Sequence, residues 1–171
     1  MVRFHFFRLP HLGCKAAAVV LASAFVLGLL AGCSVSTGCR ELLSASRDSL
    51  AQSAGVSAFV PTVMPILISG FAVYIGQPLL LIPAAFWKAF FLSSVSSGIA
   101  LTWGSAGCLV GGLALFGSLC STPVLWWYWL RHIGGEGFTA RTFLPALTAS
   151  VLVGWIDILA ISPFLKQILI F

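Results

Sequence analysis

The chain has 171 residues, of which 60% are hydrophobic and only 8% carry a charge. An ordinary soluble domain has about 25% charged residues, and a soluble monomer cannot hide so much apolar surface from water. The composition therefore excludes most soluble enzymes and indicates an integral membrane protein. The Lys and Arg residues give a net charge of +5 but stand singly along the chain, so no basic cluster supports nucleic-acid binding.

Charged residues and turn signals separate the predicted helices, since about 20 apolar residues cross the hydrocarbon core of a bilayer. An uncharged stretch from Ala16 to Cys39 contains the first helix, and Gly-rich or Pro-containing turns at 76–78 and 104–107 end the second and third. The predicted spans are 16–33, 58–75, 83–103, 106–129 and 142–161. The prediction is an all-α, polytopic transmembrane bundle of about five helices that forms one domain over residues 1–171.

The positions of the basic residues predict that the N-terminus is inside and the C-terminus outside, because cytoplasmic flanks carry the excess of Lys and Arg. With that orientation the basic residues predicted to be cytoplasmic are Arg3, Arg8, Lys15, Lys88, Arg131 and Arg141, against Arg40, Arg47 and Lys166 outside. Lys88 lies near the start of the third helix, and we expect its long side chain to reach back to the interface. The predicted location is a bacterial cytoplasmic membrane, with the lipid bilayer as the first partner.

An aromatic run precedes Arg131: Trp126, Trp127, Tyr128 and Trp129. Tryptophan and tyrosine are enriched at both membrane–water interfaces, so we interpret Trp126, Trp127, Trp129, Arg131 and Lys88 as interfacial residues. An aromatic platform for a ligand is the alternative interpretation of the same run.

Asp157 stands inside the otherwise apolar fifth helix, where a charge costs about 2.5–3.5 kcal/mol on insertion scales. Its depth, about 15 residues from the cytoplasmic start of that helix, is about 22 Å. Lys88 is expected near the inner face, so a direct salt bridge between the two is not expected. We predict that Asp157 is a polar anchor whose partners are hydroxyl groups on neighbouring helices, or water; a proton or cation relay is the alternative.

Small residues recur at a spacing of four in two predicted helices, at Ser93 and Ser97 and at Gly107 and Gly111. Such a spacing puts small side chains on one helix face and permits close helix packing. It predicts a helix–helix contact and names no ligand.

The sequence Leu30-Ala31-Gly32-Cys33 is similar to a bacterial lipobox, which would make Cys33 a lipidated N-terminus after cleavage. An uncleaved first helix that ends in small residues is the interpretation we prefer. Cys33 and Cys39 both fall at the outer end of the first helix, where a disulfide is a further candidate. The cysteines and histidines lack metal-ligand spacing, so neither a metal nor a cofactor is predicted.

Three segments together resemble the stage II sporulation protein M family: the first helix with Gly28 and Gly32, the stretch 86–130, and the stretch 151–166 with Asp157 and Pro163. In that family an acidic residue in an apolar closing helix is followed by proline. The resemblance implies a non-enzymatic polytopic protein that anchors a peptidoglycan-remodelling complex. Other membrane or cell-wall-remodelling proteins are then its partners.

The function predicted first is therefore a membrane scaffold without catalysis. The sequence contains no nucleophile–base pair, no phosphate-binding loop and no paired carboxylates, so an enzyme is not predicted. The alternative is a small transporter, or the substrate-binding subunit of one, in which Asp157 and the Ser-rich third helix would line a cavity.

Overall fold

The computed structural model describes residues 14–36, 62–133, 137–161, 163–164 and 167, and within these ranges the only secondary-structure elements are helices joined by short turns. The predicted all-α class is confirmed for them. The helices are α1 (Cys14–Ser34), α2 (Thr62–Ile75), α3 (Leu81–Trp103), α4 (Ser105–Ala114), α5 (Phe116–Ile133) and α6 (Ala140–Ile156), and α6 continues into a π-helical turn, Asp157–Ile161.

Three of these helical segments are long and apolar enough to cross a membrane: Lys15–Ser34, Pro78–Trp103 and Ala140–Ile161. The pair α4 and α5 forms a fourth candidate span that is bent by 59°, and α2 is shorter than a full span. The count of five crossings and the N-in/C-out orientation remain predictions.

The single helix predicted over 106–129 is wrong, because the structure breaks it into α4 and α5 at Leu115. Leu115 has φ −103° and ψ 8°, outside the helical range. The residues around the break include Gly111, Gly112 and Gly117, each of which lowers the helical preference of the chain by about 1 kcal/mol relative to alanine. The break frees backbone N–H groups at the start of α5.

The turn predicted at 76–78 ends α2 in a defined geometry. Gly76 has φ +81°, its N–H donates to Val73 O at 3.0 Å, and the N–H of Gln77 donates to Ala72 O at 2.9 Å. These two bonds are the Schellman arrangement, which needs a left-handed residue and therefore favours glycine. A 3₁₀ turn, Pro78–Leu80, then leads directly into α3.

The tightest helix pair is α1 against α3. A Cβ atom on Gly28 would overlap Phe86 O, and one on Gly32 would overlap Ser93 Oγ, so only glycine lets the two backbones approach this closely. Ser93 Oγ donates to Leu29 O at 2.8 Å and links the two helices. The close packing extends to α4, where Gly107 and Gly111 lie against Ile99 of α3.

The apolar core lies between α1, α2, α3, α5 and α6, and α5 supplies its largest side chains, Tyr128 and Trp129. The other buried members are Leu21, Val63, Ile66, Ala72, Val73, Leu81, Ala85, Leu125 and Ala146. This core fixes the face of α5 that carries the polar residues described next.

Candidate functional site

Lys88 is buried inside the bundle, with only 3% of its surface exposed. Its ammonium group donates to Ser118 Oγ at 2.6 Å and to Ser121 Oγ at 3.2 Å, both on α5. The interfacial, outward-reaching Lys88 predicted from the sequence therefore differs from the structure. The reason is that the side chain of Lys88 is directed at α5, where buried hydroxyl groups replace the water that the ammonium group would otherwise bind.

Ser118 and Ser121 stand one turn apart on the same face of α5 and are both buried. Ser121 Oγ also donates to Ser118 O at 3.0 Å, so this hydroxyl accepts from Lys88 and donates to its own helix. A buried charge is tolerated only when hydrogen bonds replace the water it has lost. The i, i+3 serine pair provides two of those bonds.

Asp157 is also 3% exposed, and it lies where the α-helical part of α6 becomes a π-helical turn. Its Oδ2 accepts a hydrogen bond of 3.1 Å from the backbone N–H of Gly117. Gly117 is the second residue of α5, so this N–H belongs to the first turn and has no acceptor within the helix. Asp157 therefore caps the N-terminus of α5 from another helix, where the helix dipole favours a negative group.

Thr62 of α2 also lies at the contact between Asp157 and Gly117. A Cβ atom on Gly117 would overlap Asp157 Oδ2, and Thr62 Oγ1 lies 3.1 Å from the same Cβ position. Thr62 is fully buried at the start of α2. Because residue 117 has no side chain, the carboxyl group of Asp157 and the hydroxyl group of Thr62 can both approach the N-terminus of α5.

The structure brings Lys88 and Asp157 to consecutive residues of α5, Ser118 and Gly117. We call Lys88, Ser118, Ser121, Gly117, Asp157 and Thr62 the polar cluster; it joins α2, α3, α5 and α6 at the break between α4 and α5. Asp157 and Lys88 stand out in the sequence, whereas the other four residues were not predicted. The spacing of Ser118 and Ser121 was a usable signal, whereas no signal marked Gly117 or Thr62.

A second set of polar contacts lies towards the other end of α5. Trp129 Nε1 donates to Ser69 Oγ of α2 at 2.6 Å, and Thr142 Oγ1 of α6 lies 3.3 Å from His132 Nε2. All four side chains are buried. Each contact ties α5 to a different neighbour.

The predicted interfacial aromatic residues do not share one environment. Trp127 is exposed and its ring lies 5.8 Å from the guanidinium carbon of Arg131, which is also exposed. Trp126 is half-buried and meets Phe25 edge to face. Trp129 is fully buried and therefore differs from the prediction, because successive residues of a helix point in different directions and only one face of α5 meets the surface.

The remaining predicted residues lie away from the polar cluster. Ser97 donates to Ser93 O within α3 rather than to another helix. Cys33 is an exposed free thiol at the end of α1, and Cys39 lies outside the described residues. Within the described ranges, no three His, Cys, Asp or Glu side chains are grouped so that they would hold a metal ion.

A groove of about 930 Å³ runs between α2 and α3. Its lining is apolar apart from Lys88, and the largest side chains at its walls are Met64, Ile68, Phe71, Trp87 and Phe91. The ammonium group of Lys88 donates to serine hydroxyls of α5. The surface that the groove presents to a bound molecule is therefore aliphatic and aromatic.

No family model, curated protein or solved structure matches this chain.

Proposed function

We propose that this protein is a non-enzymatic, multi-pass membrane scaffold that holds a partner protein in the membrane. The proposal rests on one observation: polar groups inside the bundle form hydrogen bonds between helices. Lys88 joins α3 to α5, Asp157 joins α6 to α5, and Ser93 joins α3 to α1. Hydrogen bonds between helices, together with close packing through small residues, stabilise bundles inside a membrane.

The partner surface we propose is the groove between α2 and α3, and its occupant is a transmembrane helix of the partner. Trp87 is 66% exposed and Phe71 is 65% exposed at the walls of this groove. An apolar groove framed by two helices can accept the side chains of a third helix. Lipid already covers apolar surface, so the fit of shapes, rather than hydrophobicity, would select the partner.

The resemblance to the stage II sporulation protein M family supports the same kind of role and suggests the partner class, a membrane-anchored protein of cell-wall remodelling. The bacterial cytoplasmic membrane is the location that goes with it.

The test is site-specific photo-crosslinking in the membranes of the native cell. A photoreactive amino acid replaces Trp87 or Phe71 in the groove. As controls it replaces Leu109 of α4, which is 76% exposed, or Leu152 of α6, which is 64% exposed. We expect one membrane protein to be captured at both groove positions and at neither control, and to bind the purified scaffold when the two are reconstituted together. Equal capture at all four positions would overturn the proposal.

A second candidate function is transport, and the specific observation in its favour is the bent pair α4 and α5 with two ionisable residues at the break. Broken helices whose ends meet polar groups form the substrate sites of many transporters. Capture of an ATPase or another energising subunit in the same experiment would favour this function over a scaffold for cell-wall enzymes.

A further inference from the structure

The interface between α5 and α6 contains polar atoms that the protein itself leaves without partners. Within the described part of the chain, three buried side-chain oxygens lack a hydrogen-bond partner: Tyr128 Oη, Ser150 Oγ and Asp157 Oδ1. Tyr128 and Ser150 are fully buried and Asp157 is 3% exposed. Buried polar groups are nearly always satisfied, by protein or by ordered water, so three orphaned oxygens at one interface point to a ligand there.

The three residues belong to one strip. Along α6 the buried residues are Thr142, Ala146, Ser150 and Gly154, followed by Asp157 at the π-helical turn. They recur every three to four residues and hence share a helix face. None of them has a large apolar side chain, and two of the three unpartnered oxygens, those of Ser150 and Asp157, lie on this face.

The opposite wall of the strip is the polar face of α5. Tyr128 faces α6, because its ring centroid lies 6.1 Å from that of Phe143. Gly117 meets Asp157 at one end of the interface, and His132 meets Thr142 at the other. The ionisable groups that face the strip from the described elements packed against it are Lys88, Tyr128 and His132.

One end of the strip lies near water. Arg131 and Arg141 are both exposed and directly precede His132 and Thr142. Charged side chains at the ends of spanning helices lie at the membrane surface. From Thr142 to Asp157 the helix rises about 22 Å, at 1.5 Å per residue, so the strip leads from that surface deep into the bundle.

We propose that the α5–α6 interface is an internal water-binding site: a column of water that enters beside His132 and Thr142, passes Tyr128 and Ser150, and ends on Asp157 Oδ1. Buried water in proteins typically makes about three hydrogen bonds to groups that are otherwise unsatisfied. The column gives Asp157 contact with the aqueous phase at a depth where lipid surrounds the bundle. This site is independent of partner binding in the groove between α2 and α3.

The test is the reaction of engineered cysteines with silver ion, a thiol-reactive cation about the size of a water molecule, on the full-length protein in phosphatidylcholine nanodiscs. The five native cysteines are replaced by alanine, and Ser150→Cys, Ala146→Cys and Leu152→Cys are introduced one at a time. Leu152 is 64% exposed and faces outward, so the thiol of Leu152→Cys would lie in lipid. Only a thiolate reacts, and it forms only in contact with water.

We expect Ser150→Cys, although fully buried, to react at least about tenfold faster than Leu152→Cys, because its thiol ionises in the water column. Ala146→Cys lies on the same face and should react at a similar rate to Ser150→Cys. Agreement between the two variants excludes misfolding of a single variant as the cause of its rate. Adding Asp157→Leu to Ser150→Cys should slow the reaction severalfold, whereas Asp157→Asn, which still binds water, should not.

Three results would overturn the proposal. Equal slow reaction of the Ser150 and Leu152 variants means that the interface is dry. Equal fast reaction of both means that the rates do not distinguish the strip from the outer surface of α6. A rate at Ser150→Cys that is unchanged by Asp157→Leu means that Asp157 is not the inner end of the column.

Discussion

Lys88 and Asp157 lie far apart in the chain and are held by consecutive residues of α5: the ammonium group donates to Ser118 Oγ, and the carboxyl group accepts from the N–H of Gly117. Both are almost completely buried. The first turn of α5 therefore serves as a common attachment point for α3 and α6. Since α5 begins at a break in the chain, these contacts also fix the direction in which α5 leaves α4.

Asp157→Asn should be tolerated, and Asp157→Leu should not. The asparagine side-chain oxygen can still accept from the N–H of Gly117, whereas leucine leaves that buried donor without its acceptor. Losing the partner of a buried donor costs about 1–3 kcal/mol. Thermal unfolding in detergent, followed by circular dichroism, should show a small shift of Tm for Asp157→Asn and a clearly larger one for Asp157→Leu. Equal loss in the two variants would mean that the charge, and not the hydrogen bond, is the stabilising feature.

Gly117→Ala should destabilise the protein although alanine is the better helix former. The added methyl group would overlap Asp157 Oδ2, so α6 must move or the cap must break. Crowding of this kind typically costs about 1–3 kcal/mol. Gly112→Ala is the matched control, because a Cβ atom there meets nothing within 4 Å. Gly112→Ala should be neutral or slightly stabilising in the same unfolding measurement, and a larger loss there than at Gly117 would contradict the packing described for α5 and α6.

The sequence predicted part of this site and could not predict the rest. Asp157 stands out because an acidic residue is rare in an apolar helix, and the expectation of a partner on a neighbouring helix is consistent with its contact to α5. The partner, however, is a backbone N–H, and no such group is available in a continuous helix over 106–129. Only the break at Leu115 exposes it, and the glycines around residue 115 did not by themselves indicate where the helix would be interrupted.

The position of Lys88 differs from the prediction for a related reason, although its printed hydrogen bonds run to Ser118 and Ser121 and not to Asp157. The prediction assumed straight, unbroken helices that begin at the membrane surface, and that assumption placed Lys88 at the inner face. In the structure α3 starts at Leu81, so Lys88 is about 10 Å along the helix, and the bend of 59° between α4 and α5 brings the start of α5 to it. The composition and the turn signals sufficed for the helical class, since those depend on local sequence.

Trp129→Phe should cost more stability than Trp127→Phe, although the two residues are neighbours in the aromatic run. Trp129 is fully buried and donates to Ser69 Oγ, so phenylalanine loses this bond and leaves space, with a combined cost of about 1–3 kcal/mol. Trp127 is half-exposed at 45%, and its replacement should change the free energy of unfolding by at most about 0.5 kcal/mol.

Unfolding in detergent measures the difference in free energy of unfolding between the two tryptophan variants. Ser69→Ala is a third variant that tests the hydrogen bond separately. It removes the acceptor of Trp129 Nε1 without removing the ring. We expect Ser69→Ala to fall between the two tryptophan variants. If Trp127→Phe proves as costly as Trp129→Phe, the burial assigned to the two faces of α5 is wrong.

Lys88 and Asp157 should be energetically coupled, and a double-mutant cycle with Lys88→Met and Asp157→Asn measures the coupling. Either single change leaves the opposite charge buried near α5 without its counterpart, whereas the double change removes both charges together. The double variant should therefore lose less stability than the two single losses added, by about 0.5–3 kcal/mol. The control cycle pairs Asp157→Asn with Ser93→Ala, which acts at the contact of α1 with α3 and should be additive within about 0.5 kcal/mol. Additivity in the first cycle as well would show that Lys88 and Asp157 stabilise the start of α5 separately, each through its own hydrogen bonds.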